Sequence, residues 1–189
     1  MVFLFRAGYV SHMVGKWHLG FCNRKFWPQN KGFDSFYGLL NGAGGYFDHT
    51  LAGGYDFRDG FDVAWEANGT YSTTLIQTKV EKIIENHDPT TPMFLYVPFQ
   101  AVHGPLEAPE VYEDLYSYVE DEDRRKFLGM VTAMDDAVGN ITQTLKTHGL
   151  YDNSVILFFS DNGGATAGWP QGLLYFLKLL HYTRCSKYI

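Results

Sequence analysis

Two continuous apolar runs, separated by one long helical repeat, constrain the fold of this chain more than any other feature. The runs are PMFLYVPF at residues 92–99 and SVILFF at residues 154–159, and each is typical of a strand buried on both faces. Between them, apolar residues recur in alternating steps of four and three, at Phe127, Val131, Met134, Val138, Ile141 and Leu145. This spacing predicts one amphipathic helix from Asp121 to His148. Strand, helix and strand in this order indicate a parallel α/β fold.

The remaining segments predict shorter elements and long loops. Residues 11–18 have the composition of a short strand that runs into a loop. Apolar residues recur at helical spacing after Ser72, so we expect a capped helix from about Thr73 to Asn86. Residues 21–69 are rich in Gly, Asn, Asp and aromatic side chains without a sustained period. We therefore expect irregular loops there that bind a ligand or pack on another part of the protein.

Composition and charge argue against several classes of protein. A hydrophobic share of 46% and an aromatic share of 17% are those of a packed globular protein. The net charge of −6, without a run of Lys and Arg, argues against a nucleic-acid partner. The two cysteines, Cys22 and Cys185, form neither a disulfide framework nor a paired metal-ligand spacing.

Signals for targeting and processing are few. The opening MVFLFRAGYV has no leading basic region, no full-length apolar stretch and no cleavage site, so it predicts no signal peptide in this chain. The run GLLYFLKLL at residues 172–180 is too short, and too interrupted by Lys178, to span a membrane. We expect a buried or frayed helix there. Asn68 and Asn140 begin the sequons NGT and NIT, which predict glycosylation in a chain that enters the secretory pathway.

Three polar clusters follow predicted strands. They are KWH at residues 16–18, AVHGP at residues 101–105 and SDNGG at residues 160–164. Ligands of parallel α/β proteins bind in the crevice beyond the carboxyl ends of the strands. The three clusters therefore predict one functional site at that edge of the sheet.

Each candidate residue also has a purely structural interpretation. Lys16 and His18 would face one pocket from alternate positions of an extended segment and suit an anion, or they are a solvated lysine and a packed histidine. His103 is a proton donor or anion contact, or a hydrogen-bonded loop histidine. Asp161 and Asn162 are half of a hard-cation site, or residues of an ordinary turn. Spacing alone leaves these alternatives open.

Taken together and in order, the motifs resemble those of type I sulfatases, closest to the arylsulfatase B group. The matching segments are GKWHLG, GFD at residues 32–34, FLYVPFQAVHGP, GMVTAMDDAVGNITQTL and FFSDNGG. The resemblance runs from about Ala7 to between Gly164 and Gln171. It implies an alkaline phosphatase-like α/β fold, with a mostly parallel central sheet flanked by helices and incomplete at both ends. Residues 1–171 would be a partial catalytic domain, and residues 172–189 a divergent tail.

The resemblance implies a sulfuric ester hydrolase. Its substrate would be a sulfated glycan or an aryl sulfate ester, such as N-acetylgalactosamine 4-sulfate in glycosaminoglycans, and the protein would be lysosomal or secreted. In such enzymes a cysteine in a CxPSR-type motif becomes formylglycine, whose hydrate attacks sulfur. One calcium ion, held by three Asp and one Asn, neutralises the sulfate oxygens.

Five residues of this chain match the family's site residues. Lys16 resembles the lysine near the formylglycine and the sulfate. His18 resembles the histidine that hydrogen-bonds the formylglycine hydroxyl and helps to release sulfate. His103 is similar to the histidine at the sulfate and the leaving oxygen. Asp161 and Asn162 resemble the third carboxylate and the amide ligand of calcium.

The sequence departs from the family pattern near both ends. In the family, two Asp ligands and the CxPSR motif precede GKWHLG, which begins here at Gly15, and neither Cys22 nor Cys185 has CxPSR surroundings. Trp169-Pro170 is present, but the sulfate-binding lysine that follows it in the family is not assigned to Lys178. With two of four metal ligands and no nucleophile, we expect a marginally stable fragment that binds calcium weakly and has no turnover alone.

Two other functions fit the sequence. A non-catalytic protein would keep the anion-binding half of the pocket and bind sulfated glycans or a full-length sulfatase. A phosphatase or phosphodiesterase relative would need additional Asp and His ligands for a two-zinc site, and the KWH motif argues against it.

Overall fold

The computed structural model describes residues 2–163 and the backbone of residues 177–182. The strands are β1 Val10–Val14, β2 Ser35–Gly38, β3 Thr50–Leu51, β4 Gly54–Tyr55, β5 Arg58–Asp59, β6 Asp62–Val63, β7 Met93–Tyr96, β8 Val155–Phe159 and β9 Leu177–Tyr182. The α-helices are α1 Val2–Arg6, α2 Ser72–Glu85, α3 Glu110–Glu113 and α4 Glu122–Thr147. Short 3-10 helices span Arg24–Phe26, Pro28–Lys31, Trp65–Ala67, Asp114–Tyr116 and Tyr151–Asn153.

The main sheet has five strands in the order β6-β5-β2-β1-β7. Strand β1 lies in the centre and pairs in parallel with both β2 and β7. The edge formed by β5 and β6 is antiparallel. The sheet is therefore mixed, with the predicted parallel arrangement at its centre, and the carboxyl ends of β1, β2 and β7 lie at one edge.

Strands β1 and β2 are covered on both faces, by different parts of the chain, whereas the edge strand β7 is half-buried. Consecutive residues of a strand point to opposite faces, so Val14 packs in one hydrophobic cluster with residues of α2 and α4. Met13 belongs to a second cluster, in which aromatic side chains replace a helix: Trp17, Trp27, Phe33 and Phe36. Helices thus cover one face of the sheet, and an aromatic layer from the loops covers the other.

Helix α4 confirms the predicted helix, although its most buried stripe differs from the predicted one. Its N-terminus is capped by Asp121, whose carboxylate accepts a hydrogen bond of 2.8 Å from the Arg124 backbone N–H. Its fully buried residues are Gly129, Met130, Ala133, Ala137 and Leu145. The predicted stripe is half-buried except at Leu145. Small residues explain why the buried stripe is rotated from the predicted one. A Cβ at Gly129 would stand 3.2 Å from the Ala108 Cβ, so glycine lets the helix approach the neighbouring loop on that side.

Helix α2 confirms the predicted segment within one residue at each end. It buries Ile76, Val80 and Ile84 against the sheet, as the helical spacing requires. No helix among residues 2–163 combines the length and the apolar character needed to cross a bilayer.

Strand β8 differs from the prediction that it is buried on both faces. Alternate residues are exposed, with Val155 and Leu157 each at 62%, whereas Ile156 packs against the cluster formed with α2 and α4. The strand pairs with β9 in a separate two-stranded sheet. An apolar run does not distinguish one buried face from two.

Strand β9 occupies residues that were predicted to belong to a helix. Within the run at residues 172–180, Leu177 onwards is a strand that pairs antiparallel with β8. The backbone N–H and C=O groups at the edge of β8 pair with this short apolar segment. A prediction from periodicity does not take such a distant hydrogen-bonding partner into account.

Strand β2 was missed within residues 21–69, where the sequence predicted only irregular loops. The rest of this region consists of loops, 3-10 helices and two-residue strands. It consists of the four residues SFYG. Phe36 faces the aromatic layer and Tyr37 faces the helical cluster. Two adjacent aromatic residues thus contribute one side chain to each face of the sheet.

The backbones of the parallel strands approach each other closely at Gly15 and Gly38. The φ angles of these residues are 135° and 144°, a region that residues with a Cβ rarely adopt. A Cβ at Gly15 would stand 2.0 Å from the Pro98 carbonyl oxygen, and a Cβ at Gly38 would stand 2.1 Å from the Gly15 carbonyl oxygen. The packing of these backbones therefore requires glycine at both positions.

Replacing Gly15 by alanine is expected to lower the free energy of unfolding by at least about 1–3 kcal/mol, because the new Cβ meets backbone and not a movable side chain. Gly139→Ala is the matched control, since this exposed helical position has open space around it and should gain about 0.5–1 kcal/mol. Urea unfolding followed by circular dichroism measures both. Equal midpoints for Gly15→Ala and the wild type would contradict the close approach.

His49 is a buried titratable group on the helical side of the core. Its Nε2 lies 3.0 Å from the Ala67 carbonyl oxygen. Burial is the main cause that lowers the pKa of His49. The fold therefore favours the neutral imidazole.

Acid is expected to destabilise the protein through His49. The pKa of an unfolded histidine is about 6.5, so the unfolded state takes up a proton before the folded state does. The free energy of unfolding should be unaffected by His49 above about pH 7 and should decrease as the pH falls from about 6.5 towards the lower pKa of the folded state. In urea titrations, His49→Gln should show a weaker pH dependence than the wild type. The exposed-residue control His148→Gln should retain the wild-type dependence, and equal slopes for all three proteins would contradict this assignment.

Candidate active site

Lys16 lies just past β1, at the edge where the parallel strands end. Its backbone N–H donates a hydrogen bond of 2.7 Å to the Pro98 carbonyl oxygen, which extends the pairing of β1 with the chain beyond β7. This hydrogen bond fixes the lysine backbone at the carboxyl edge, as the position of KWH after a strand predicts.

The structure brings Lys16 together with Asp161 from the other end of the described region. The lysine Nζ lies 3.5 Å from Asp161 Oδ2, although 145 residues separate the two positions. The Lys16 side chain is 11% exposed and that of Asp161 is 68% exposed. An ion pair with so exposed a partner contributes about 1 kcal/mol or less. The contact thus gives Lys16, whose side chain is largely buried, a weakly held carboxylate as its partner.

His18 is exposed and is held by the loop that follows β2. Its backbone N–H donates to the Leu40 carbonyl oxygen at 3.1 Å, and its φ angle is 53°. The imidazole lies directly over Gly42, where a Cβ would stand 2.3 Å from the ring. No hydrogen bond or ion pair joins His18 to Lys16. Both side chains belong to the same short segment, on either side of the buried Trp17.

Asp56 supports the loop that holds His18 and was missed in the sequence. Its buried carboxylate accepts hydrogen bonds from the backbone N–H groups of Leu40 at 3.2 Å and Asn41 at 2.8 Å. The Asn41 side-chain amide donates a third, also at 2.8 Å. Because these partners lie 15 and 16 residues away, no local pattern could have identified the role.

His103 lies in the loop after β7, with an exposed side chain. Its Nδ1 lies 2.9 Å from the Gly104 carbonyl oxygen. Its own carbonyl oxygen accepts a hydrogen bond of 2.7 Å from the hydroxyl of Tyr46, a fully buried residue whose pKa is raised mainly by burial. His103 is therefore a hydrogen-bonded loop histidine through Nδ1, and Nε2 takes no part in this contact.

Asp161 and Asn162 lie exposed in a turn after β8. The Ser160 hydroxyl donates to the Asn162 carbonyl oxygen at 2.5 Å, and the Asn162 side-chain amide donates to the Gly163 carbonyl oxygen at 2.8 Å. Residues 2–163 contain no group of three or more His, Cys, Asp or Glu side chains able to hold a metal ion. Calcium takes six to eight oxygen ligands, so Asp161 and Asn162 do not by themselves form a calcium site.

The other predicted positions are placed as follows. Asn68 is exposed after the 3-10 helix Trp65–Ala67, and Asn140 is exposed on α4. Cys22 is exposed and forms no disulfide. The Trp169-Pro170 segment, Cys185, the Lys178 side chain and the predicted domain boundary at residue 171 lie outside the described residues.

Comparison with known proteins gives a match over almost the whole chain. A sulfatase family model matches residues 1–185. The chain is 45% identical over 174 residues to arylsulfatase J of Mus musculus, a match that covers 87% of this chain and 29% of that relative. It is 30% identical over 181 residues to N-acetylgalactosamine-6-sulfatase of Homo sapiens, covering 88% of this chain and 32% of that relative. The chain thus spans about a third of the length of these relatives.

The fold agrees with that of solved structures. The crystal structure of Ps i-CgsB in complex with k-i-k-neocarrahexaose is similar with a TM-score of 0.77 at 28% sequence identity, covering 85% of this chain and 39% of that chain. The alkaline phosphatase-like fold predicted from the motifs is therefore confirmed. The family model and the relatives identify the chain as a member of the sulfatase family.

Proposed function

We propose that this chain provides the sulfate-binding part of a sulfuric ester hydrolase active site, in which Lys16, His18 and His103 hold the ester. The observation that carries the proposal is Lys16, whose side chain is largely buried at the carboxyl edge of a sulfatase-family sheet. Its only ion pair within residues 2–163 is the loose one to Asp161. The substrate class is a sulfate ester of a glycan or an aryl group, and N-acetylgalactosamine 4-sulfate is the specific candidate.

The surroundings of Lys16 suit an incoming anion. A charged group is stabilised by close, charge-assisted hydrogen bonds. The Asp161 carboxylate at 3.5 Å is beyond the distance of a strong bond of that kind. A sulfate oxygen that approaches Nζ more closely would replace this contact with a shorter one, and the ammonium would balance the charge of the ester.

The two histidines would move protons at the same ester. His18 is exposed two residues after Lys16, and one side of its ring lies against Gly42. The contact of His103 Nδ1 with the Gly104 carbonyl oxygen orients the second ring. Nδ1 would then carry a proton, so Nε2 would accept a proton in the neutral ring and would donate one to a leaving oxygen in the doubly protonated ring. In the family, formylglycine supplies the attack on sulfur, and no cysteine of the 189 residues has a CxPSR setting.

A non-catalytic role is the second candidate. The observation that favours it is the loose pairing of the largely buried Lys16 side chain with Asp161, which binding of an anion without turnover would also use. Such a protein would bind sulfated glycans or a full-length sulfatase through the same residues. Both candidates predict binding by the 189-residue chain, and measurement of released sulfate separates them.

The protein's setting is proposed from the family. A lysosomal or secreted protein would expose the Asn68 and Asn140 sequons to glycosylation, and both asparagines are exposed. Residues 1–171 would form the catalytic portion and residues 172–189 a divergent tail. These assignments rest on resemblance and on exposure.

Lys16→Met is expected to weaken binding of 4-nitrophenyl sulfate to the 189-residue chain. Loss of a charged hydrogen bond of about 1.5–3 kcal/mol raises the Kd by about 10- to 150-fold. Lys82→Met, an exposed position on α2, is the charge-matched control and should bind as the wild type does. Titration calorimetry measures both. An unchanged Kd in Lys16→Met would overturn the role of Lys16, and release of sulfate by the wild-type chain would show a nucleophile other than formylglycine.

Calcium is the cation that we propose for this site, with Asp161 and Asn162 as two of its ligands. Two protein oxygens should give a dissociation constant of about 10⁻³ M or weaker, comparable to the weakest natural sites. Asp161→Ala should abolish the residual binding measured by calorimetry, and Asp152→Ala, an exposed aspartate nearby in sequence, should not. Binding that Asp161→Ala leaves unchanged would contradict the assignment.

A further inference from the structure

A basic surface with two exposed aromatic rings lies on the segments next to the candidate site. It consists of Arg24, Lys25, Phe26, Lys31 and Phe61, all of which are exposed. We refer to these five residues as the aromatic–basic surface. They come from the loop after His18 and from the connection between β5 and β6.

The cations of this surface are arranged around the rings. Lys25 Nζ and Lys31 Nζ lie 4.9 Å and 5.0 Å from the centroid of the Phe26 ring. The Arg24 guanidinium carbon lies 5.9 Å from the centroid of Phe61. At these distances the cations interact with the ring faces, which concentrates three positive charges on a small area.

No carboxylate of residues 2–163 forms an ion pair with Arg24, Lys25 or Lys31. Cation–π contacts hold these groups without neutralising them. The whole chain carries a net charge of −6, so the local positive charge of this surface is opposite in sign to the net charge of the chain. Such a surface attracts an anionic partner.

Buried tryptophans fix the aromatic–basic surface against the candidate site. The Trp17 Nε1–H donates to the Phe26 carbonyl oxygen at 2.9 Å, and Trp17 stands between Lys16 and His18 in the chain. A Cβ at Gly20 would stand 3.3 Å from the Phe26 Cβ. These contacts hold the Phe26 backbone in place, and such preorganisation reduces the entropic cost of binding.

We infer that the aromatic–basic surface binds a further anionic sugar residue of a sulfated polysaccharide whose target ester lies at Lys16. The inference rests on the proposed function and specifies its substrate as a polymer. An aryl sulfate has one anionic group, which Lys16 already satisfies. A sulfated polysaccharide offers additional sulfates or carboxylates to Lys25 and Lys31, and its sugar rings present apolar C–H faces to Phe26.

The test compares two probes on the full 189-residue chain: a chondroitin sulfate oligosaccharide of defined length and 4-nitrophenyl sulfate. The double variant Lys25→Gln/Lys31→Gln should weaken oligosaccharide binding about tenfold or more and reduce the salt dependence of its Kd. It should leave 4-nitrophenyl sulfate binding unchanged. Phe26→Leu should also weaken oligosaccharide binding while it preserves the salt dependence.

The control variant is Lys82→Gln/Lys146→Gln, which removes the same charge from two other exposed positions. Lys146 also lies over an aromatic ring, at 4.8 Å from the Tyr151 centroid. Unchanged oligosaccharide binding in this control supports the inference. An equal loss in both double variants would overturn it, because binding would then depend on net charge alone.

Two further outcomes separate the possible failures. Single-stranded DNA of equal charge tests whether the surface recognises a glycan. If this DNA binds as tightly as the oligosaccharide, and Lys25→Gln/Lys31→Gln weakens the binding of both equally, recognition of a glycan is overturned. If Lys16→Met weakens 4-nitrophenyl sulfate binding while Lys25→Gln/Lys31→Gln leaves the oligosaccharide unaffected, this inference fails and the proposed function stands. The reverse pattern overturns the placement of the target ester at Lys16, and with it the proposed function.

Discussion

The close packing of three parallel backbones at Gly15 is the constraint on which the rest of the site depends. Only a residue without a Cβ leaves room for the Pro98 carbonyl oxygen, and that oxygen then accepts the Lys16 backbone N–H. The backbone hydrogen bonding continues after Lys16, because the Trp17 backbone N–H donates to the Leu39 carbonyl oxygen. A substitution that moved these backbones apart would displace the lysine and the histidine together.

Trp17 links the core to the chemistry of the surface. Its indole is buried in the aromatic layer, so the polar residues on either side of it are carried to the edge of the sheet. The same indole donates to the Phe26 carbonyl oxygen, and this bond ties the aromatic–basic surface to the site. The aromatic layer that takes the place of a helix on this face thus also positions charged groups. One packing arrangement accounts for both the burial of the sheet and the location of its basic loop.

The sequence predicted the features that depend on local periodicity and missed those that depend on distant contacts. The helices α2 and α4 and the placement of Lys16 after a strand follow from spacing, and the structure contains them. Asp56 and Tyr46 support the loops of His18 and His103 through contacts with residues at least 15 positions away, so no spacing rule could reveal them. The buried stripe of α4 was misplaced because small residues bring a helix closer than large ones. The burial of β8 was overestimated because an apolar run does not report how many faces are covered.

The structural and functional interpretations of the site residues turn out to be compatible. The turn after β8 is closed by the Ser160 hydroxyl and by the amide nitrogen of Asn162, and these bonds leave the Asp161 carboxylate and the Asn162 amide oxygen outside the turn. In the same way, the contact of His103 Nδ1 with Gly104 uses one ring nitrogen and not the other. An ordinary loop hydrogen bond therefore fixes the side chain whose remaining atom is available for chemistry. Residue statistics treat a packed histidine and a catalytic histidine as alternatives. Different atoms of one side chain can nevertheless perform both roles together.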